Sequence, residues 1–209
     1  DPIFTTYNIL LYPNAVTINS IEAQSDGKLI FSGTTLINNQ TKYAWRINPD
    51  GRYDPTFNIT TNGKVKVLNN DKFLFLSSGI IKRYNSDGTL DNTFSSGLAE
   101  INNFSVQNDN KILCNRYSSD PSLRRLNENG SIDSSFQSIY FNNCDIGIAR
   151  QLNDDKVLFS YKHLSNNGIY LRKFNSDGTP DTSFPSPLST PNYEMRYVLN
   201  SGNILQQFN

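Results

Sequence analysis

Apolar residues in this chain fall in short runs instead of at helical spacing. Leu29-Ile30-Phe31, Phe73-Leu74-Phe75-Leu76, Ile112-Leu113-Cys114, Val157-Leu158-Phe159 and Ile204-Leu205 are each strand-sized, and each follows a polar cluster that reads as a turn. The turn-and-strand signatures are Gln24-Ser-Asp-Gly-Lys-Leu-Ile-Phe31, Leu68-Asn-Asn-Asp-Lys-Phe-Leu-Phe75, Gln107-Asn-Asp-Asn-Lys-Ile-Leu-Cys114, Leu152-Asn-Asp-Asp-Lys-Val-Leu-Phe159 and Leu199-Asn-Ser-Gly-Asn-Ile-Leu-Gln206. Residues that tolerate positive φ predict two-residue hairpin turns at 26–27, 70–71, 109–110, 154–155 and 201–202. The incoming strands are Val16–Ile18, Lys64–Leu68, Asn103–Val106, Ile146–Gln151 and Met195–Leu199. No stretch carries an apolar stripe at helical spacing, so no helix is predicted.

A second signature follows each of the first four. It reads Arg46-Ile-Asn-Pro-Asp-Gly-Arg-Tyr-Asp-Pro-Thr-Phe57, Arg83-Tyr-Asn-Ser-Asp-Gly-Thr-Leu-Asp-Asn-Thr-Phe94, Arg125-Leu-Asn-Glu-Asn-Gly-Ser-Ile-Asp-Ser-Ser-Phe136 and Lys173-Phe-Asn-Ser-Asp-Gly-Thr-Pro-Asp-Thr-Ser-Phe184. Asp1-Pro-Ile-Phe4 matches the tail of a further copy. One unit is therefore strand, turn, apolar strand, variable loop, third strand, second turn, then Asp-x-x-Phe. The loops are Thr34–Thr41, Asn115–Ser122 and His163–Gly168, with Gly33, Gly79 and Gly168 placed for a bend before the third strand.

The first signature starts at 24, 68, 107, 152 and 199, a period of about 39–47 residues. Short strands at that period predict an all-β, propeller-like array of about five blades, each of three or four strands. The units run approximately 5–57, 58–94, 95–136, 137–184 and 185–209, the last partial, in a single repeat domain. The Pro/Ser-rich stretch 184–191 reads as a long inter-blade loop. The fifth unit supplies two strands and the N-terminus only the motif's tail, so the array is expected to be an incomplete propeller. Its open strand edge would be met by further chain or by a partner chain.

The paired signatures resemble the delta-60 family of β-propeller repeats over nearly the whole chain. The second unit departs by lacking Gly in its first turn, and the third by carrying Asn129 where the others have Asp. The resemblance implies a blade array of bacterial surface, secreted or large modular proteins and of some phage proteins. It implies no shared catalysis, so it assigns no catalytic residue.

Composition narrows the chemistry. Nineteen basic and nineteen acidic residues cancel, which leaves no electrostatic footprint for nucleic acid or an anionic membrane. The apolar runs are too short to span a bilayer as helices. Two cysteines, Cys114 and Cys144, and one histidine, His163, are too few for a Cys/His metal centre. Cys114 takes a column held elsewhere by Phe, so two separate thiols are expected. His163 lies in a variable loop without a catalytic context, and sequons at Asn39, Asn58, Asn103 and Asn129 suit an Asn-rich chain.

The Asn-x-Asp-Gly-x-x-Asp loops at 48–54, 85–91, 127–133 and 175–181 place oxygen ligands around a glycine, as calcium loops do. They lack a terminal bidentate carboxylate, and Asn129 serves a turn as well as Asp while removing charge. The loops are therefore expected to be structural, with no metal and no cofactor. Arg46, Arg83, Arg125 and Lys173 each lie eight residues before Asp54, Asp91, Asp133 and Asp181. They predict a repeated, partly exposed ion pair of the ~0–1 kcal/mol class. Phe57, Phe94, Phe136 and Phe184 should plug the junctions between blades.

Aromatics outside these columns are the binding candidates: Tyr43, Trp45, Tyr117, Tyr140, Tyr161, Tyr170 and Tyr193. Their flat faces and polar tips suit a protein or glycan ligand. The expected role is a non-catalytic scaffold or recognition module of an extracellular, cell-surface or virion-associated assembly. A glycan-processing enzyme with acids at a central opening, or a spacer in a fibre, are the alternatives.

Overall fold

In the computed structural model, each apolar run is the second strand of a small antiparallel sheet. The structure describes residues 17–116, 122–141, 144–166 and 168–184, together with strands at 188–190, 194–198 and 204–207. It divides into two units, Asp1–Phe94 and Ser95–Asn209. The first holds two three-stranded sheets. One is β1 (Thr17–Ala23), β2 (Leu29–Ile37) and β3 (Gln40–Ile47); the other is β4 (Lys64–Val67), β5 (Phe73–Ser77) and β6 (Ile80–Tyr84).

The second unit holds two four-stranded sheets and a two-stranded one. The third sheet is β7 (Ile101–Val106), β8 (Ile112–Arg116), β9 (Ser122–Leu126) and β10 (Ile139–Tyr140). The fourth is β11 (Cys144–Gln151), β12 (Val157–His163), β13 (Ile169–Phe174) and β14 (Leu188–Thr190), and the fifth pairs β15 (Glu194–Val198) with β16 (Ile204–Gln207). Neighbouring strands are consecutive and antiparallel, the meander of a blade. The described residues contain strands and turns only, and no helix is long and apolar enough to cross a membrane.

The apolar runs occupy the most protected strands because a middle strand is covered on both faces. Phe73, Leu74, Phe75 and Leu76 of β5 are all buried, as are Ile112, Leu113 and Cys114 of β8. A core in the first unit gathers Ile30, Phe57, Ile59, Val65, Phe73 and Phe75, and one in the second gathers Leu113, Leu123, Phe136, Phe141, Val157, Phe159 and Phe174. Cys114 and Cys144 are both buried thiols, and no disulfide joins them. Burial pushes both thiols up from their ordinary pKa.

The turns differ from the two-residue expectation. The Gln24 N–H donates to Lys28 O at 2.9 Å and the Gly27 N–H to Gln24 O at 3.0 Å, so the loop is three residues long with one left-handed position at its end. The same pair of bonds closes 69–71, 108–110 and 153–155. A single left-handed residue is why glycine is dispensable here: Asp71, Asn110 and Asp155 hold it at φ 60°, 63° and 59°. The predicted turn at 201–202 lies outside the described residues, as does Asp1–Phe4.

Three further expectations are revised. Three of the incoming strands are longer, β1 reaching Ala23, β7 starting at Ile101 and β11 spanning Cys144–Gln151. Thr34–Thr41 is not a loop, because β2 and β3 run through it around a turn at Asn38 and Asn39. Gly33 does not precede the third strand: it lies within β2 opposite an irregularity at Ile18/Ser20, where a Cβ would sit 1.8 Å from Thr17 O. The bulged partner strand presses its backbone onto the glycine.

Candidate functional site

The second signature builds a joint around its Asp, whose two carboxylate oxygens are both hydrogen-bonded. The third strand ends at the basic residue, the chain reverses through the Asn-x-Asp-Gly turn, and the Asp returns beneath the strand end. Thus the Asp54 N–H donates to Arg46 O at 2.9 Å, and Asp133 to Arg125 O at 2.9 Å. One oxygen of each Asp accepts the N–H and hydroxyl two residues on, from Thr56, Thr93, Ser135 and Ser183. The other faces the basic residue: Arg46, Arg83 and Arg125 donate Nε to Oδ2 at 2.8, 2.8 and 2.7 Å.

These pairs are buried, which corrects the expectation of partial exposure. The side chains of Arg125 and Asp133 are 7% and 6% exposed. The motif Phe supplies much of the cover, since each guanidinium lies over its own ring, at 5.1 Å for Arg46 on Phe57 and 4.6 Å for Arg125 on Phe136. The next sheet adds the rest. Arg46 Nη1 donates to Ser86 O and Arg125 Nη1 to Ser176 O, each reaching the second turn of the following repeat.

The fourth copy behaves differently. Lys173 stands 4.0 Å from Asp181 and instead makes a 2.8 Å bond to Asp154. An ammonium cannot fork to reach both the carboxylate and a neighbouring carbonyl as a guanidinium does. Asp181 is served by Lys156 at 2.8 Å, and Phe184 is only half-buried.

Lys156 belongs to a set that pattern reading overlooked. Lys72, Lys111 and Lys156 each follow the first turn and reach the Asp of their own repeat at 2.8, 3.0 and 2.8 Å. The signal was present, because Lys closes the turn in four of the five first signatures; Lys28 differs, pairing with Asp26. Gln24 was also missed, though it alternates with Leu in its column.

These contacts hold the carboxylates ionised. For Asp91, the Lys72 ammonium and the Thr93 hydroxyl hold the pKa well below the usual range. For Asp133, burial pulls upward, but hydrogen bonds from Ser135, Lys111 and Arg125 outweigh it. Asp181 is held down to about 2, chiefly by Lys156. Because the folded pKa lies below the unfolded one, the stabilisation is complete above pH 3.8, the ordinary Asp value, and is lost as pH falls toward about 2. Melting midpoints are expected to stay flat from neutrality to about pH 4 and to fall steeply below it. A midpoint already declining by pH 6 would contradict this.

The turn Asp takes a structural role. Asp87 and Asp177 Oδ1 accept the N–H two residues on at 2.8 and 2.9 Å, and Asn129 accepts the same bond at 3.0 Å. Neutral and charged side chains thus do the same job. Among the described residues no group of three or more His, Cys, Asp or Glu is arranged for a metal ion. Chelation with EDTA is expected to leave the melting midpoint unchanged, and a drop of several degrees would refute the turn assignment.

The turn glycine, in contrast, is required twice over. Gly178 holds φ 87°, and a Cβ there would lie 2.5 Å from Gln137 O. The backbone of the preceding repeat packs directly onto it, joined by the bond from Gln137 N–H to Asp177 O at 2.7 Å.

The candidate aromatics separate into core and surface. Trp45 is fully buried and stacks on Phe31 at 5.2 Å, and Tyr161 is 6% exposed among Phe141, Phe159 and Tyr170. Neither can meet a ligand, because each occupies an inward position of its strand. Tyr170 stacks on Tyr161 at 5.4 Å and accepts a bond from Asn166 at 2.7 Å. Tyr43 and Tyr140 are 40% and 57% exposed. Tyr140, on β10, is held by Arg124 of β9, whose guanidinium lies 5.5 Å from the ring centroid and donates to the phenol at 3.1 Å. Tyr117 and Tyr193 lie outside the described residues. His163 ends β12, where its Nδ1 meets the Ser165 hydroxyl at 2.8 Å.

Comparison with known proteins bears on the repeats. Residues 24–57, 76–94, 107–136 and 158–184 match a family described as a β-propeller domain of unknown function, DUF5122. These segments hold both signatures of the first and third units and the second signature of the second and fourth. No curated protein matches. Among solved structures, a protein of unknown function from Bacteroides caccae is 14% identical over 85% of this chain and 83% of that one, with a TM-score of 0.46. A gluconolactonase from Xanthomonas campestris is 16% identical over 81% of this chain and 76% of that one, also with a TM-score of 0.46. The family match covers more than half of the chain and falls on the turns and joints described above. The chain belongs to the DUF5122 β-propeller family.

Proposed function

We propose that this domain is a non-catalytic recognition module, a propeller scaffold presenting blade edges and loops to a protein or glycan in an extracellular, cell-surface or virion-associated assembly. The observation that carries this reading is the Tyr140–Arg124 pair. An aromatic ring that is 57% exposed, yet braced by a guanidinium, offers contact area at small entropic cost. The repeated carboxylates point the same way. A general acid needs a pKa raised toward neutrality, whereas Asp91, Asp133 and Asp181 are driven down by their ion pairs.

The test is a glycan array and a peptide display panel probed with the labelled domain, followed by Tyr140→Ala. Retained melting behaviour with loss of the captured ligand is the expected result. Turnover of aryl glycosides or of a lactone by the folded domain would overturn the non-catalytic reading. Ligand capture indifferent to Tyr140→Ala would overturn the surface assignment.

A further inference from the structure

The two joints built from corresponding residues are closed to different extents. In the first unit, Gln24 Nε2 donates to the carbonyls of Asp71 and Ser86 at 3.1 and 3.0 Å, and its Oε1 accepts from Arg46 Nη1 at 3.2 Å. The Ser25 N–H donates to Asp71 Oδ1 at 2.7 Å and the Ser25 hydroxyl bonds the other carboxylate oxygen, so the two first turns touch directly.

In the second unit the same columns hold Gln107, Asn108, Arg125, Asp155 and Ser176. Here Gln151, which stands where the first unit has Val67, is inserted between the turns. It accepts the Asn108 N–H at 2.8 Å and donates to Asp155 Oδ1 at 2.8 Å. The turns are therefore held one side chain apart, and a cavity of about 440 Å³ opens between them. Gln107 lines it and is 5% exposed, yet its Oε1 is buried with no hydrogen-bond partner. A buried acceptor left unmade is costly, and a native structure that keeps one invites an occupant.

The charges around the cavity state what that occupant must bring. Lys111 and Arg125 line it, but both are committed to Asp133 at 3.0 and 2.7 Å. Asp109, Asp155 and Asp177, exposed at the rim, form no ion pair among the described residues. The site thus has surplus acceptors and surplus negative charge. Its volume suits a molecule of monosaccharide size.

We propose that this cavity binds a small primary ammonium compound, whose three N–H donors meet Gln107 Oε1 and two of the surrounding carboxylates of Asp109, Asp155 and Asp177, the third adding to the attraction of its charge. A compact ammonium provides the charge and the donors together, with no acceptor to clash with the carboxylates. This site is separate from the Tyr140 surface, so the two proposals stand or fall independently.

The repeats provide variants whose turns are already known to form. Asn occupies the columns of Asp109, Asp155 and Asp177 in other copies, as Asn70, Asn110 and Asn129, and Leu occupies that of Gln107 as Leu68 and Leu152. Calorimetric titration of the full chain at pH 6 would use glucosamine and putrescine, with N-acetylglucosamine and butane-1,4-diol as uncharged counterparts. At least one ammonium is expected to bind in preference to its counterpart by about tenfold or more, and more weakly as salt rises. Asp109→Asn/Asp155→Asn/Asp177→Asn should abolish that preference without lowering the melting midpoint. Gln107→Leu should weaken binding by about tenfold while leaving the midpoint equal or higher, because it removes the orphaned acceptor. Saturation by neither ammonium, equal binding of charged and uncharged compounds, or undiminished affinity in the triple variant would overturn the proposal.

Discussion

Asp133→Ala is expected to lower the unfolding free energy by about 3 kcal/mol, far beyond the value of a surface ion pair. The carboxylate accepts from Arg125 Nε at 2.7 Å, Lys111 Nζ at 3.0 Å, and the N–H and hydroxyl of Ser135 at 3.0 and 2.6 Å. Alanine removes all four bonds and leaves a guanidinium whose side chain is 7% exposed without its counter-charge. The lower end of the range for a broken buried pair applies because Lys111 is 29% exposed and can turn to solvent. Asp133→Ala/Arg125→Met should recover part of the loss, since it withdraws the stranded charge as well. Asp181→Ala should lose less than Asp133→Ala, because Lys173 already bonds Asp154. Urea denaturation measures all three, and a loss below about 1 kcal/mol for Asp133→Ala would show that the pair is solvated.

Phe136→Ala should be at least as damaging, at about 3–5 kcal/mol. The ring is 4% exposed and belongs to the second unit's core with Leu113, Val157, Phe159 and Phe174. It also forms the platform 4.6 Å beneath Arg125, so truncation opens a cavity and uncovers the ion pair together. Phe184, half-buried beside Leu152, Leu158 and Leu171, should tolerate alanine better although it holds the same sequence column. Equal destabilisation by Phe136→Ala and Phe184→Ala would show that column position, and not local cover, sets the cost.

The Phe comparison illustrates how far repetition alone can be read. Asp-Gly, Asn-Asp and Asp-Asn followed by Lys and an apolar run announce a turn and a middle strand, since both depend on residues within one hairpin. The end of the third strand at Arg46, Arg83 and Arg125 was legible for the same reason. Trp45 and Tyr161 were not, because a strand's two faces look alike in sequence until the register against Phe31 or Phe141 shows which is inward.

By itself, then, the sequence determined the middle strand of each repeat, the turns on either side of it and the pairing of each Arg with the Asp eight residues on, because these follow from strand period and turn chemistry over short separations. Tertiary structure alone decided how deeply those pairs are buried, since the cover comes from the following repeat's turn, at Ser86 for Arg46 and Ser176 for Arg125. It also decided that one glutamine, Gln151, holds a joint open where Val67 lets its counterpart close, because a side chain's effect on a joint depends on what faces it across the gap.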